Sequence, residues 1–298
     1  MKISTPCPSS AKDSARALVI TGYGVNCEKE CAYAARAAGA AVADIAYFSD
    51  LVEGRRRIAD YNFIIFPGGF LDGDDLGAAQ AAAQRWKYAV PRHGAPFPDQ
   101  LLALVEKGGL ILGICNGFQL LVKLGLLPAL GNKYLERQIS LTHNASARFE
   151  DRWCRLRVNR ESPCVFTDGL DSLYMPVRHG EGRIVAADEA LLRRLHAENL
   201  TVLYYADEHG LPTQDYPDNP NGSPLGIAGL CDPSGRIFGL MPHPEAYNHP
   251  TNHPGWTRGE SAASGLNIFA RAVRRLGGGR PPGAPELFSR DSVPYLRS

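Results

Sequence analysis

Three short stretches carry residue types that could do hydrolytic chemistry together. In GICNGFQLLVKLG (113–125) an apolar, strand-like run gives way to a helix-like one, with Cys115 at the corner and glycines two positions to either side. A thiol on a sharp strand-to-helix turn projects above the strand ends, and the flanking glycines let the backbone bend and a substrate approach. The helix N-terminus beneath it favours a thiolate and offers N–H groups to a developing oxyanion. Such a nucleophile needs a base, and the base needs a carboxylate to orient it. MPHPEAY (241–247) supplies His243 and Glu245, which stand two apart and so share one side of an extended segment. Pro242 and Pro244 stiffen the backbone around the histidine. FPGGF (66–70) adds Gly68 and Gly69, whose N–H groups no side chain would obstruct. Taken singly, each stretch also fits a plainer reading: a buried cysteine at a tight turn, a polar surface loop, a βα turn. Only their convergence in space would make a site.

The elements that must bring them together follow from the hydrophobic pattern. RALVITG (16–22), AVADIAYF (41–48), NFIIFPGG (62–69) and GLILGIC (109–115) read as strands. CEKECAYAARAAGA (27–40), LGAAQAAAQRWKYAV (76–90), 99–107 and 117–125 read as helices, with PRHGAPFP (91–98) as a loop. Strands of unbroken apolar character alternating with helices predict an α/β fold: an open, doubly wound, mostly parallel sheet with helices on both faces, of flavodoxin-like type. Ligands of such sheets bind at the carboxyl ends of the strands, where FPGG and the Cys115 corner would both lie. From about 132 to 242 the pattern shifts to short strands and turns (WCRLRV, LYMPVRHGEGRIV, TVLYYAD, LGIAGLCD, RIFGLMPHPE), which predicts a small antiparallel sheet. YPDNPNGSP (216–224) reads as a turn-and-loop segment, and 261–276 resumes helical spacing. The expected organisation is a loose arm over 1–15, one domain over 16–276, and a Gly/Pro-rich tail over 277–298.

Composition narrows the function classes. The chain has 298 residues, with 32 basic and 31 acidic side chains and a net charge of +1. No global field therefore draws it to nucleic acid or to an anionic membrane, and any ligand must be held by local groups. No stretch approaches the roughly 20 apolar residues of a membrane span. The start, MKISTPCPSSAKDSARALVI, does not read as a signal peptide. Seven cysteines at irregular spacing are not a disulfide framework, so a reducing cytoplasm is expected. Cys7, Cys31, Cys154, Cys164 and Cys231 are then inert thiols. Cys27 and Cys31 are four apart on a helical stretch, and His249 and His253 are four apart in NHPTNHPGW (248–256), but neither pair has further ligands at metal-binding spacing. No metal is expected.

GVNCEKE (24–30), PGGFLDGDD (67–75), GICNGFQLL (113–121) and MPHPE (241–245) together resemble the triad-type, class I glutamine amidotransferases. Within that class, the CNGFQ form of the corner and PVRHGEGR (176–183) resemble the glutaminase subunits of phosphoribosylformylglycinamidine synthases. The motifs span about 18–275. The resemblance implies a nucleophile at Cys115, a base at His243 and an orienting carboxylate at Glu245. It implies an oxyanion hole from the backbone N–H groups of Gly69 and Asn116, and glutamine contacts from Gln119 and the Gly68–Gly69 segment. It places His179 and Glu181 near the site or a partner interface, without a catalytic step. The chain has no G-x-x-x-x-G-K-[ST] loop, so it should not perform ligation itself. The resemblance puts ATP and magnesium on a partner synthetase, with a small accessory subunit as a further partner, and requires no cofactor in this chain. Departures from the family pattern are the missing tyrosine and arginine after PGGF, where only Gly73 and Asp74 are kept, and Ala246 where arginine is common. The arm, the stretch 86–98 and the tail look added. Two other readings share the motifs: an amidotransferase serving another ammonia-accepting synthetase, and a silent relative acting as a regulatory module.

Overall fold

The computed structural model describes residues 14–260, 262 and 264–278. The expected arm and tail fall outside these apart from 14, 15, 277 and 278, as does Cys7. The chain opens with β1 (Arg16–Thr21), α1 (Glu28–Ala37), β2 (Val42–Tyr47), the short α2 (Phe48–Val52) and β3 (Phe63–Phe66). It continues through α3 (Gln80–Tyr88), α4 (Phe97–Glu106), β4 (Leu110–Ile114) and α5 (Asn116–Leu124). Then follow β5 (Ile139–His143), β6 (Glu150–Val158), β7 (Ser172–His179), β8 (Glu181–Ala186), α6 (Glu189–Ala197), β9 (Thr201–Ala206), β10 (Ile227–Cys231), β11 (Ile237–Leu240) and α7 (Leu266–Arg275).

The unbroken apolar runs do what a doubly covered sheet demands: β3, β4 and β11 are buried at every position. Helix α1 forms from an alanine-rich stretch with Glu28 and Glu30 in its first turn and Arg36 in its last, matching the helix dipole at both ends. Helix α5 ends at Gly125, whose φ of 74° is the left-handed conformation that closes helices.

One nine-stranded sheet has the order β2-β1-β3-β4-β11-β10-β9-β6-β7, and a second pairs β5 with β8. From β2 to β11 every neighbouring pair is parallel. The α/β class and the small antiparallel sheet are as expected. The short strands of the second half divide between the two sheets, and four of them extend the main sheet by antiparallel pairing. LYMPVRHGEGRIV breaks at Gly180, where β7 leaves the main sheet and β8 enters the small one.

This order fixes where the chemistry lies. β1, β3, β4 and β11 run the same way, so 22–27, 67–70, Cys115 and His243 all emerge at one edge. Four successive antiparallel pairings bring β7 back to the direction of β11, so Arg178 and His179 exit at that edge too. Three strands separate β11 from β7 in the sheet order, yet the His243 N–H donates to the Pro176 carbonyl at 2.8 Å. The sheet therefore coils, and β7 packs across the mouth of the parallel half.

Candidate active site

Cys115 has φ 50° and ψ −103°, a conformation that side-chain-bearing residues avoid and that stores about 1–3 kcal/mol. Its surroundings enforce it. The Cys115 N–H donates to the Leu240 carbonyl at 2.8 Å, tying the corner to β11. A Cβ on Gly117 would sit 2.0 Å from the Phe66 carbonyl oxygen, so only glycine lets α5 start this close to β3. The thiol is buried, and its S–H points at the Arg178 carbonyl at 3.6 Å.

His243 and Glu245 sit 2 % and 1 % exposed, with His243 Nδ1 and Glu245 Oε1 2.6 Å apart. That bond places the ring proton on Nδ1 and leaves Nε2 to accept. Nε2 is buried and makes no hydrogen bond among the described residues. Burial alone would push the imidazole's pKa down; the Glu245 charge, then that of Cys115, outweigh it, and the ring titrates well above the ordinary histidine range. Gly68 seats the ring: a Cβ there would lie 2.6 Å from His243 Cε1. The sequence motifs separated by more than a hundred residues therefore meet at one sheet edge.

The candidate oxyanion donors are linked to each other. The first backbone bond of α5 runs from the Gln119 N–H to the Cys115 carbonyl, which leaves the Asn116 N–H outside the helical ladder. The Asn116 side-chain carbonyl accepts the Leu71 N–H at 3.0 Å, tying the start of α5 to the loop that carries Gly68 and Gly69. Gly69 has φ 138°, and a Cβ there would lie 2.5 Å from the Gly24 carbonyl, so the loop needs glycine on both counts. Gln119 takes a different place from a free substrate contact. Its amide accepts from Asn116 Nδ2 at 3.0 Å and donates to the Glu181 carbonyl at 2.5 Å. It borders the site while bracing α5 against the start of β8.

Two adjoining cavities share Gly69, Phe70, Phe149 and Arg178 as walls. The smaller, of about 180 Å³, reaches Cys115, Gln119, Asp74, His179 and Glu181. The larger, of about 360 Å³, reaches His243, Glu245, Cys27 and Glu30. Burial and the neighbouring Glu181 carboxylate raise the pKa of Asp74. Burial lowers that of Lys123, against the pull of Glu181. Asp74, the buried Lys123 and Glu181 thus form a charged group, of which Asp74 and Glu181 line the thiol's cavity, and sequence patterning alone did not assemble it.

His179 is a buried brace. Asn144 Oδ1 lies 3.1 Å from its Nδ1, while Asn144 Nδ2 donates to the His179 carbonyl at 2.7 Å. Burial first, and the nearby His243 second, lower its pKa to about 3, so it stays neutral with Nε2 bare. Glu181 accepts the Ala78 N–H at 3.2 Å. His249 is exposed and caps a short turn, accepting the Thr251 N–H at 3.3 Å, whereas His253 is buried among Trp153, Tyr174 and Tyr247. The pairing of Cys27 with Cys31 is replaced by another. Cys27 precedes α1 instead of lying within it, and its sulfur lies 3.9 Å from His243 Nδ1. The only hint in the sequence was its place in GVNCEKE, a motif at the exit of β1.

The profile of the CobB/CobQ-like glutamine amidotransferase domain matches residues 14–275. The chain belongs to that family. It is 41 % identical over 261 residues to the phosphoribosylformylglycinamidine synthase subunit PurQ of Dehalococcoides mccartyi, covering 87 % of this chain and 96 % of that one. It is 44 % identical over 240 residues to the PurQ subunit of Methanococcus maripaludis, covering 80 % and 85 %. Among solved structures it is similar to a chain of PurLQS from Thermotoga maritima, at 27 % identity and a TM-score of 0.63, over 88 % of this chain and 99 % of that one. It is a PurQ-like class I glutamine amidotransferase, as its motifs imply.

Proposed function

We propose that this chain is the glutaminase subunit of a phosphoribosylformylglycinamidine synthase, hydrolysing glutamine at Cys115 and passing the ammonia to a synthetase for purine biosynthesis. The observation that carries the reading is the meeting of a strained cysteine, a buried histidine and its carboxylate at one rim of the parallel sheet. The sulfur attacks the side-chain amide carbon of glutamine while the oxygen develops charge against the N–H groups of Gly69 and Asn116. His243 Nε2 takes the thiol proton and returns it to the departing nitrogen, so ammonia leaves and a γ-glutamyl thioester remains. Water, activated by the same nitrogen, then releases glutamate. Glu245 holds the tautomer throughout and stabilises the imidazolium.

No step in this scheme uses a metal or cofactor in this chain; ATP and magnesium serve the partner synthetase. The names of the relatives support that partner, and the Thermotoga maritima assembly also supports a small accessory subunit. No helix among the described residues is long and apolar enough to cross a membrane. We place the activity in the cytoplasm, where six described cysteines would stay as the free thiols seen here. The test is reconstitution with the synthetase from the same source. Cys115→Ala should abolish glutamine-dependent amidation of formylglycinamide ribonucleotide and leave ammonia-dependent amidation intact. Loss of both would make the thiol structural.

A further inference from the structure

The mechanism leaves one buried nucleophilic group beside the base unused. Cys27 is 8 % exposed, and its sulfur contacts His243 Nδ1 at 3.9 Å on the side away from Nε2. The sulfur, the imidazole nitrogen and a Glu245 oxygen all lie within 4.8 Å of one another. Glu245 Oε2 is buried with no hydrogen-bond partner among the described residues, an unusual state for a carboxylate oxygen. All three side chains border the 360 Å³ cavity, which gives an ion an entry path and room for a water as fourth ligand.

We propose that Cys27, His243 and Glu245 form an inhibitory site for a zinc-class divalent cation. The donor set of one thiolate, one imidazole and one carboxylate suits zinc, and three protein ligands plus water is a common arrangement. Zinc–sulfur and zinc–nitrogen bonds of about 2.3 and 2.0 Å hold those atoms roughly 3.5 Å apart, a few tenths of an ångström closer than here. The His243–Glu245 contact of 2.6 Å is a hydrogen bond and must open by about 0.7 Å as the ion replaces its proton. Thiolate and carboxylate together cancel the charge of the ion. Glu30 and Arg178 border the same cavity and partly offset each other.

The proton balance makes the site inhibitory. Starting from thiol, neutral imidazole and carboxylate, binding forms sulfur–metal and Nδ1–metal bonds. The thiol proton goes to solvent, and the ring proton moves from Nδ1 to Nε2. One proton is released per ion, and a second where the ring starts as imidazolium; in either case Nε2 can no longer accept a proton from Cys115. This consequence rests on the proposed glutaminase role of His243; the metal site itself does not.

The probe is Co²⁺ added to the full chain in a reductant free of thiols, followed by competition with Zn²⁺. We expect thiolate-to-cobalt charge-transfer absorption in the near ultraviolet, saturating at one ion per chain. Cys27→Ser should remove the band and weaken zinc inhibition of glutamine hydrolysis by the reconstituted complex about 10-fold or more. Cys115→Ala should keep the band. No band in the parent chain, a band unchanged in Cys27→Ser, or one lost in Cys115→Ala would each overturn the site. Should Cys27→Ser fail to fold, proton release on zinc binding to the parent chain decides: at least one per ion supports the site, and none refutes it. A missing band in an active enzyme would count against the metal site alone, whereas a band in a chain inactive with its partner would count against the proposed function alone.

Discussion

Replacing Gly68 with alanine tests how the base is held. The added methyl would lie 2.6 Å from His243 Cε1, roughly 0.8 Å short of an ordinary contact, and 3.4 Å from Cys27 Sγ. Gly68 is outside the left-handed region, so the backbone itself tolerates alanine. The ring must yield, and it has little freedom: its backbone N–H is tied to Pro176 and its Nδ1 to Glu245. A catalytic group displaced by about 1 Å costs on the order of 100-fold in rate, or about 2.7 kcal/mol of barrier. We therefore expect Gly68→Ala to lower the kcat of glutamine-dependent amidation about 100-fold, with KM for glutamine within a few-fold. Ammonia-dependent amidation by the complex should be unchanged. Overpacking of about 1–3 kcal/mol would lower the urea midpoint, so the assay is run well below it. Glutamate release within threefold of the parent would mean that the ring is not seated on Gly68, and the geometry given for the base would be wrong.

Glu245→Gln should lower kcat about 10³- to 10⁴-fold, since an amide no longer holds the Nδ1 proton by charge. The raised pKa of His243, which must be neutral to take the thiol proton, puts the acidic limb of the kcat/KM profile above the ordinary histidine range. In Glu245→Gln that limb should move down, and an unmoved limb would remove Glu245 from the account. His179 acts on stability with the opposite sign. It titrates at about 3 in the fold against 6.5 as a free side chain, so the unfolded chain takes up the proton first. Stability should fall as pH drops from about 6.5 towards 3, by up to roughly 5 kcal/mol from this residue. Urea melts across that range should show a shallower decline for His179→Gln, and an unchanged slope would contradict its neutral burial.

The parallel half of the fold was legible because its strands are buried on both faces. FIIF and LILGI carry no alternation to mislead, and α1 and α5 carry their own end signals. The elements missed have physical reasons. Helix α2 is five residues long and starts where Asp50 accepts the Tyr47 N–H at 3.0 Å, too short for a periodic signal. Strand β5 is held in place by its pairing with β8, across about 40 positions of sequence. YPDNPNGSP reads as solvated loop, yet Asn221 is fully buried and donates to the Gly182 carbonyl at 2.9 Å. Its polar residues pack under β8, and composition cannot reveal that. For the site, Cys115, His243 and Glu245 were legible because each follows an unbroken apolar strand run, at the carboxyl edge where sheets of this kind bind their ligands. Cys27 was harder to place, because its contact with His243 spans 216 positions and depends on how the exits of β1 and β11 converge.

The most direct test of the central claim is covalent. A glutamine-mimicking electrophile such as a diazo-ketone analogue, incubated with the chain in its complex and read by peptide mass spectrometry, should place one adduct on Cys115. Excess glutamine should slow the labelling, and Cys115→Ala should take up none. An adduct at Cys27 or another cysteine, or labelling indifferent to glutamine, would mean that the thiol at the corner of β4 and α5 is not the nucleophile.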